Sequence, residues 1–194
     1  MRYILEGMPG AGKSTLMNSL KATSKYPMSM YLDQPEVDNT IMEAGDIRAI
    51  AKAFFNEEIR RQNYISNTDS VIFDRNYIST LAYNYAMSSI DSEYKLAFSD
   101  IENHISSLLT SNSISNKDSK MFVLIVEPAE SVKRRNEFNE AKYYPWFDDK
   151  FLHSMFSFYK EEIFKKYYTG EYIIMDTTNL SEASVFDIIT KEII

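Results

Sequence analysis

Three of the five glycines in this 194-residue chain fall within six positions, Gly7, Gly10 and Gly12; the other two stand alone at Gly45 and Gly170. A chain otherwise so poor in permissive backbone does not gather three glycines for general flexibility, so the cluster marks a loop of special geometry. It lies between an apolar run, Tyr3-Ile4-Leu5, and a segment with Leu16 and Leu20 at helical spacing. A strand turning through a glycine-rich loop into a helix is therefore the first unit of the fold.

Four more short apolar runs follow, at Met28–Leu32, Val71–Phe73, Met121–Val126 and Tyr172–Met175. They are continuous rather than alternating, the pattern of strands buried on both faces of a parallel sheet. Helical periods separate them. One starts near Asp46, after Gly45, and carries Ile47, Ile50, Phe54 and Glu58. A second runs through Tyr94, Ala97, Ile101, Ile105 and Leu108 behind a Ser92 cap, and a third through Phe151, Met155 and Phe158. The last, Val185, Ile188 and Ile189, has Ser181 as N-cap. The polar stretch Thr110–Lys120 reads as a surface loop. With no repeat and no linker, the alternation predicts one α/β domain over residues 1–194, a five-stranded parallel sheet with helices on both faces.

Gly7 to Ser14 spell G-x-x-x-x-G-K-S between the first strand and the first helix. Glycines let the backbone curl into a nest of N–H donors, and the helix adds its positive end. Lys13 supplies a charge for the β- and γ-phosphates, and the Ser14 hydroxyl can ligate Mg²⁺. Gly7, Gly10, Ala11, Gly12, Lys13, Ser14 and Thr15 are thus expected to hold ATP; the rival reading is a glycine-rich turn that happens to precede Lys-Ser. The signatures of a GTPase switch are missing. Met42 and Tyr167 stand three positions before Gly45 and Gly170, so no Asp-x-x-Gly is present, and Asn116-Lys117-Asp118-Ser119 ends in the wrong residue.

Charge narrows the partners. Twenty-one basic against 28 acidic residues leave −7, which disfavours coating a nucleic-acid polymer but not holding a small phosphorylated ligand. Without cysteine there is no thiol chemistry, and His104 and His153 are too few and too far apart for a metal cage. No apolar run is long enough for a membrane span and no secretion signal is visible, so a soluble cytoplasmic protein is expected.

At the end of the third strand the chain reads Val71-Ile-Phe-Asp74-Arg75-Asn76-Tyr-Ile-Ser79-Thr-Leu-Ala82-Tyr83-Asn84. A carboxylate there faces the ligand crevice of an open α/β sheet, where Asp74 can reach Mg²⁺ and Arg75 can grip a phosphate; the plainer reading is a structural Asp–Arg pair. With Ile4-Leu5-Glu6-Gly7 ahead of the phosphate loop, this pattern resembles the thymidylate kinase branch of the P-loop nucleotide and nucleoside kinases. Asn76 and Asn84 depart from that branch, which prefers an aromatic residue or His at the first position and Gln at the second. The resemblance implies a P-loop NTPase fold of the nucleoside monophosphate kinase type. It also implies a lid around residues 134–149, entered from Glu127-Pro128 and the basic Lys133-Arg134-Arg135, and an adenine-embracing loop at Asp176–Ser181 that includes Thr178. Arg75 would hold the acceptor's phosphate, and Arg134 and Arg135 would neutralise the transferring phosphoryl group, unless they belong to a solvated helix face.

Asp33, in Asp33-Gln34-Pro35-Glu36, stands where nucleoside kinases carry a base for a hydroxyl, although an acid before proline also starts turns. Phe54, Phe55, Arg60 and Arg61 are the residue types that would stack on and read an acceptor base, but their spacing does not match the thymidylate enzymes. The aromatic stretch Tyr143–Asp149 either stacks on an acceptor or anchors the next helix. The resulting expectation is an ATP- and Mg²⁺-dependent kinase acting on a small molecule, with dTMP as first acceptor. The alternatives are a kinase of the same fold acting on a hydroxyl of a nucleoside, antibiotic or other metabolite, and a non-catalytic ATP-binding regulator. A homodimer through the helices flanking the sheet is implied by the resemblance.

Overall fold

The computed structural model describes residues 1–23, 30–33, 35–65, 70–137 and 145–193. In chain order it contains β1 (Arg2–Gly7), α1 (Lys13–Ala22), β2 (Met30–Leu32), α2 (Asn39–Ala44), α3 (Ile47–Tyr64), β3 (Val71–Asp74), α4 (Tyr77–Ser88) and α5 (Ser92–Thr110). There follow β4 (Ser119–Ile125), α6 (Pro128–Glu137), α7 (Asp149–Lys160), a 3₁₀ turn at Ile163–Lys166, β5 (Glu171–Asp176) and α8 (Glu182–Glu192). The strands form one sheet in the order β2-β3-β1-β4-β5, and every pair is parallel.

Tyr3, Ile4 and Leu5 of β1 and Met121 to Ile125 of β4 are all buried, as strands covered on both faces must be. α1 packs on α8, while α4 packs against α3, α5 and α7. The register brings Leu5 level with Asp74, Gly7 level with Leu124, and Ile125 level with Asp176. The carboxyl ends of the central strands therefore share one edge, which is where open α/β sheets bind ligands. The five-stranded α/β architecture expected from the sequence is the one found. No helix among the described residues is long and apolar enough to cross a membrane.

Several local expectations need correction. The N-cap of α5 is Asp91, whose carboxylate accepts the N–H groups of Glu93 and Tyr94; Ser92 is the first helical residue. Asp91 and Ser92 are both good cap formers, and packing of the helix rather than residue type decides between them. The buried side of α3 is Ala51, Phe55 and Glu58, with Ile47, Ile50 and Phe54 only half-buried. Ile188 is exposed, while Val185 and Ile189 are buried. The stretch after α5 is a loop, but Ile114 and Asn116 turn into the core and β4 begins at Ser119. His104 is partly buried with its ring 6.0 Å from that of Phe55. Helices α2 and α4 had no counterpart among the helices predicted. Residues 28 and 29 of the second predicted strand lie outside the described residues.

Four buried tyrosines knit the core around α4, α7 and β4. The Tyr77 hydroxyl reaches the Asn116 side chain and the Tyr167 carbonyl, both at 2.8 Å, and Tyr168 meets Ser119 at 2.9 Å. Tyr159 donates to Glu6 and Tyr167 to Glu102. Burial is the first cause that raises the pKa of each, with Tyr168 pushed up to about 12. An acid whose folded pKa lies above its unfolded one stabilises the fold fully below the unfolded value, and that stability is lost as pH rises through the folded value. The urea midpoint is therefore expected to fall progressively above pH 10, the ordinary tyrosine value. Tyrosinate absorbance should appear together with unfolding. Ionisation of these tyrosines at pH 10 with the fold intact would contradict the packing described.

Candidate functional site

The loop between β1 and α1 is shaped by close approach as much as by φ. Gly7 has φ 126°, and a Cβ there would lie 1.8 Å from the Leu124 carbonyl oxygen of β4. The Met8 N–H donates to that same oxygen at 2.9 Å, so loop and strand are in direct backbone contact. Gly12 has φ 92° but open space around it. It is the N-cap of α1, with no side chain capping the helix. The first-turn N–H groups of Lys13, Ser14 and Thr15 are thus kept for an anion, backed by the positive end of the helix.

Lys13 is only 6 % exposed, and its ammonium donates to the carbonyls of Gly7 (2.8 Å) and Met8 (2.5 Å). Burial lowers its pKa most, and the adjacent Arg75 lowers it further, while Glu6 and Asp74 act the other way. Arg135 is a further charged neighbour. Lys13, Arg75, Arg135, Asp74 and Glu6 therefore form one electrostatic cluster at the carboxyl edge of β1 and β3.

Asp74 ends β3, half-buried, and no hydrogen bond within the described residues engages its carboxylate. Arg75 follows in the left-handed region at φ 63°, where a non-glycine residue is strained. The turn is held by its own N–H on the Leu5 carbonyl (3.0 Å) and by Arg61, which donates to the Arg75 carbonyl at 3.1 Å. Nη1 of Arg75 donates to the Ser79 hydroxyl (3.0 Å). Asn76, where the thymidylate branch prefers an aromatic residue or His, caps α4 by accepting the Ile78 N–H.

A cleft of about 1170 Å³ opens over the loop. Its walls include Gly10, Ala11, Gly12, Lys13, Ser14, Thr15, Arg75, Arg134 and Arg135 from the expected set, together with Trp146, Thr177 and the start of α8. Arg134 is fully engaged inside the protein. It donates to the carbonyls of Gly10 (3.2 Å), Thr177 (2.8 Å) and Thr178 (3.0 Å) and pairs with Glu130 at 3.0 Å. It thus ties the loop between β1 and α1 to the loop after β5. Arg135 lies over the rings of Trp146 (5.8 Å) and Phe147 (5.6 Å).

The remaining expectations fall elsewhere. Asp33 follows β2 with a side chain 80 % exposed, paired to Lys21 at 2.9 Å. The Thr178 hydroxyl accepts from the Glu127 N–H and donates to Asp176, so its side chain shapes the loop after β5. Phe55 is core, and Arg61 is drawn onto Glu58 (3.3 Å) and the carbonyls of Leu32, Asp74 and Arg75. Arg60 pairs with Glu57 in solvent. Trp146 packs on Tyr83 and Phe151, which is the anchoring role, while also facing the cleft. Tyr143, Tyr144 and the rest of 138–144, the middle of the expected lid, lie outside the described residues. Sequence reasoning missed Ser131, which donates to the Pro9 carbonyl, and gave no role to Glu6, although a lone carboxylate inside an otherwise apolar strand was a visible signal.

Residues 2–140 match the sequence profile of a family described as an AAA domain. No curated protein matches the sequence significantly. Among solved structures, deoxyadenosine kinase from M. mycoides with bound dATP aligns with a TM-score of 0.74 at 15 % identity, covering 99 % of this chain and 98 % of that one. The same enzyme with the products dCMP and a flexible dCDP gives 0.67 at 15 % identity, covering 99 % and 97 %. With bound dCTP it gives 0.60 at 18 %, covering 99 % and 98 %. At these identities the likeness is one of fold.

The two glycines differ in what a methyl group meets. Gly7→Ala is expected to abolish folding or cost several kcal/mol, since backbone of β4 must move, whereas Gly12→Ala should cost only the left-handed strain of about 1–2 kcal/mol. Urea unfolding of both variants checks this, and equal losses would contradict the loop geometry.

Proposed function

The chain belongs to the AAA domain family, and from that premise we propose that it is an ATP-dependent kinase transferring the terminal phosphoryl group of ATP to the hydroxyl of a nucleoside. The observation that carries this reading is the convergence of Lys13, Arg75 and Arg135 with Asp74 at the carboxyl edge of the sheet, beside the cleft lined by an uncapped helix N-terminus. Phosphoryl transfer asks little more of a protein than positioning and charge neutralisation, and this cluster supplies both. The end-to-end likeness in fold to a deoxyadenosine kinase favours a nucleoside over dTMP as acceptor.

In this reading the first-turn N–H groups of α1 and the Lys13 ammonium receive the β- and γ-phosphates. Arg135, steadied on Trp146 and Phe147, faces the transferring group, and Arg134 fixes the slot that the adenine enters. Magnesium fits the donor set, because the Ser14 hydroxyl and the Asp74 carboxylate are hard oxygens, and Mg²⁺ in such sites takes few protein ligands beside phosphates and water. When bound it supplies neutralisation of phosphate charge. Asp33, which follows β2 and pairs with Lys21, is the carboxylate that would accept the hydroxyl proton.

A second reading, with dTMP as acceptor, rests on the Asp74-Arg75, Ser79 and Ala82-Tyr83 pattern, in which Arg75 clamps the acceptor's phosphate. A homodimer through the helices flanking the sheet accompanies either reading and is checked by the mass of the protein in solution.

ADP release from Mg·ATP, measured against nucleosides, nucleoside monophosphates and unrelated hydroxyl metabolites, separates these readings. Stimulation by a deoxynucleoside is the expected outcome, with Asp33→Asn lowering kcat by at least tenfold. Stimulation only by dTMP would replace it with the second reading. Silence across the panel would overturn both.

A further inference from the structure

Glu6 is fully buried at the end of β1, yet its carboxylate accepts four hydrogen bonds. Its Oε1 accepts the Asn76 N–H at 2.6 Å. Its Oε2 accepts the Gly7 N–H (3.2 Å), the Ser79 hydroxyl (2.6 Å) and the Tyr159 hydroxyl (3.1 Å). A buried carboxylate is costly unless its oxygens are met by donors, and here four donors come from four places in the chain. Two of them, the Gly7 and Asn76 N–H groups, border the loop and the strained Arg75 turn. A third lies on α4 and the fourth on α7.

The Ser79 hydroxyl has a single hydrogen. Directed at Glu6, it leaves only lone pairs for a second partner, and that partner is Nη1 of Arg75 at 3.0 Å. In the chain Glu6–Ser79–Arg75 the hydroxyl hydrogen is directed at the carboxylate and the guanidinium donates to the hydroxyl oxygen, with the Tyr159 hydroxyl also beside Ser79. An amide at position 6 could offer an N–H to Ser79, reverse its hydroxyl and release the guanidinium. The carboxylate also lies between two cations. Arg75 disfavours the charge on Lys13 and Glu6 favours it, so Glu6 lets both stand beside the loop.

We propose that Glu6 and Ser79 are positioning residues for Arg75: the carboxylate orients the Ser79 hydroxyl, the hydroxyl holds the guanidinium beside the phosphate loop, and the Tyr159 bond brings α7 into the same assembly. The proposal rests on the kinase reading for its catalytic consequence, while the hydrogen-bond polarity stands without it.

Ser79 variants make the decisive test, since Glu6→Gln could fail to fold. In steady-state assays with the acceptor found above, Ser79→Ala should lower kcat about tenfold or more, the loss expected of a hydrogen bond to a charged group, while ATP affinity by titration calorimetry stays within about twofold. Ser79→Thr keeps the hydroxyl and should restore most of the rate. Adding Ser79→Ala to Arg75→Ala should bring no further loss. Full activity of Ser79→Ala, or losses that multiply in the double variant, would overturn the proposal. A readout independent of turnover is the NMR signal of the Arg75 guanidinium, assigned with Arg75→Lys. Restricted rotation in the wild-type protein that is lost in Ser79→Ala supports the proposal, and equal mobility in both overturns it. A wild-type protein that phosphorylates nothing would sink the kinase reading and leave the NMR comparison to decide this one.

Discussion

The carboxyl edge of the sheet is built around one buried lysine, Lys13. Its ammonium is buried at the carboxyl edge of the sheet and tied to the carbonyls of Gly7 and Met8, which are themselves curled by the backbone contact with β4. A buried ammonium without compensation would shed its proton. Burial and Arg75 leave the Lys13 pKa well below its ordinary value, and Glu6 and Asp74 oppose that fall because the register sets the ends of β1 and β3 side by side. The parallel sheet is therefore the scaffold that gathers charges of both signs into a low-dielectric edge, where they act on one another most strongly.

A second framework holds the far wall of the cleft. Arg134 bonds to carbonyls of two loops, Gly10 on one and Thr177 and Thr178 on the other, and Ser131 from the same helix holds the Pro9 carbonyl. A guanidinium used in this way sets the width between loops, because its donors lie in a fixed plane. The neighbouring Arg135 packs on aromatic rings instead, near the Lys13 cluster. Adjacent basic residues on α6 thus divide the work, one bracing the walls and one facing the charge.

What could be read from the sequence was local. The glycine spacing between an apolar run and a helical period specifies the β1–loop–α1 unit within a dozen residues, and unbroken apolar runs reveal strands covered on both faces. The misses were long-range or degenerate. Glu6 meets partners 70, 73 and 153 positions away, which no spacing rule reaches. Arg134 looked like a phosphate ligand by residue type, but its partners are carbonyls, and backbone acceptors leave no mark in a sequence. In α3 the sequence reading places Glu58 correctly but puts the half-buried Ile47, Ile50 and Phe54 with it, where the inner side holds small Ala51 and Phe55. Glu58 is tolerated there because Arg61 and Gln62 satisfy it. Arg61 in turn caps the ends of β2 and β3, which removes it from the acceptor-reading role that its position in the sequence invited.

The central claim is that the loop around Lys13 is a nucleotide phosphate site whose cation turns from backbone carbonyls to phosphate oxygens. Titration calorimetry of ATP into the wild-type protein and into Lys13→Ala tests it most directly. The account predicts one saturable site in the wild-type protein and an affinity at least tenfold weaker in the variant, with the variant still folding cooperatively. Equal affinity of the two proteins, or no binding to the wild-type protein, would contradict it.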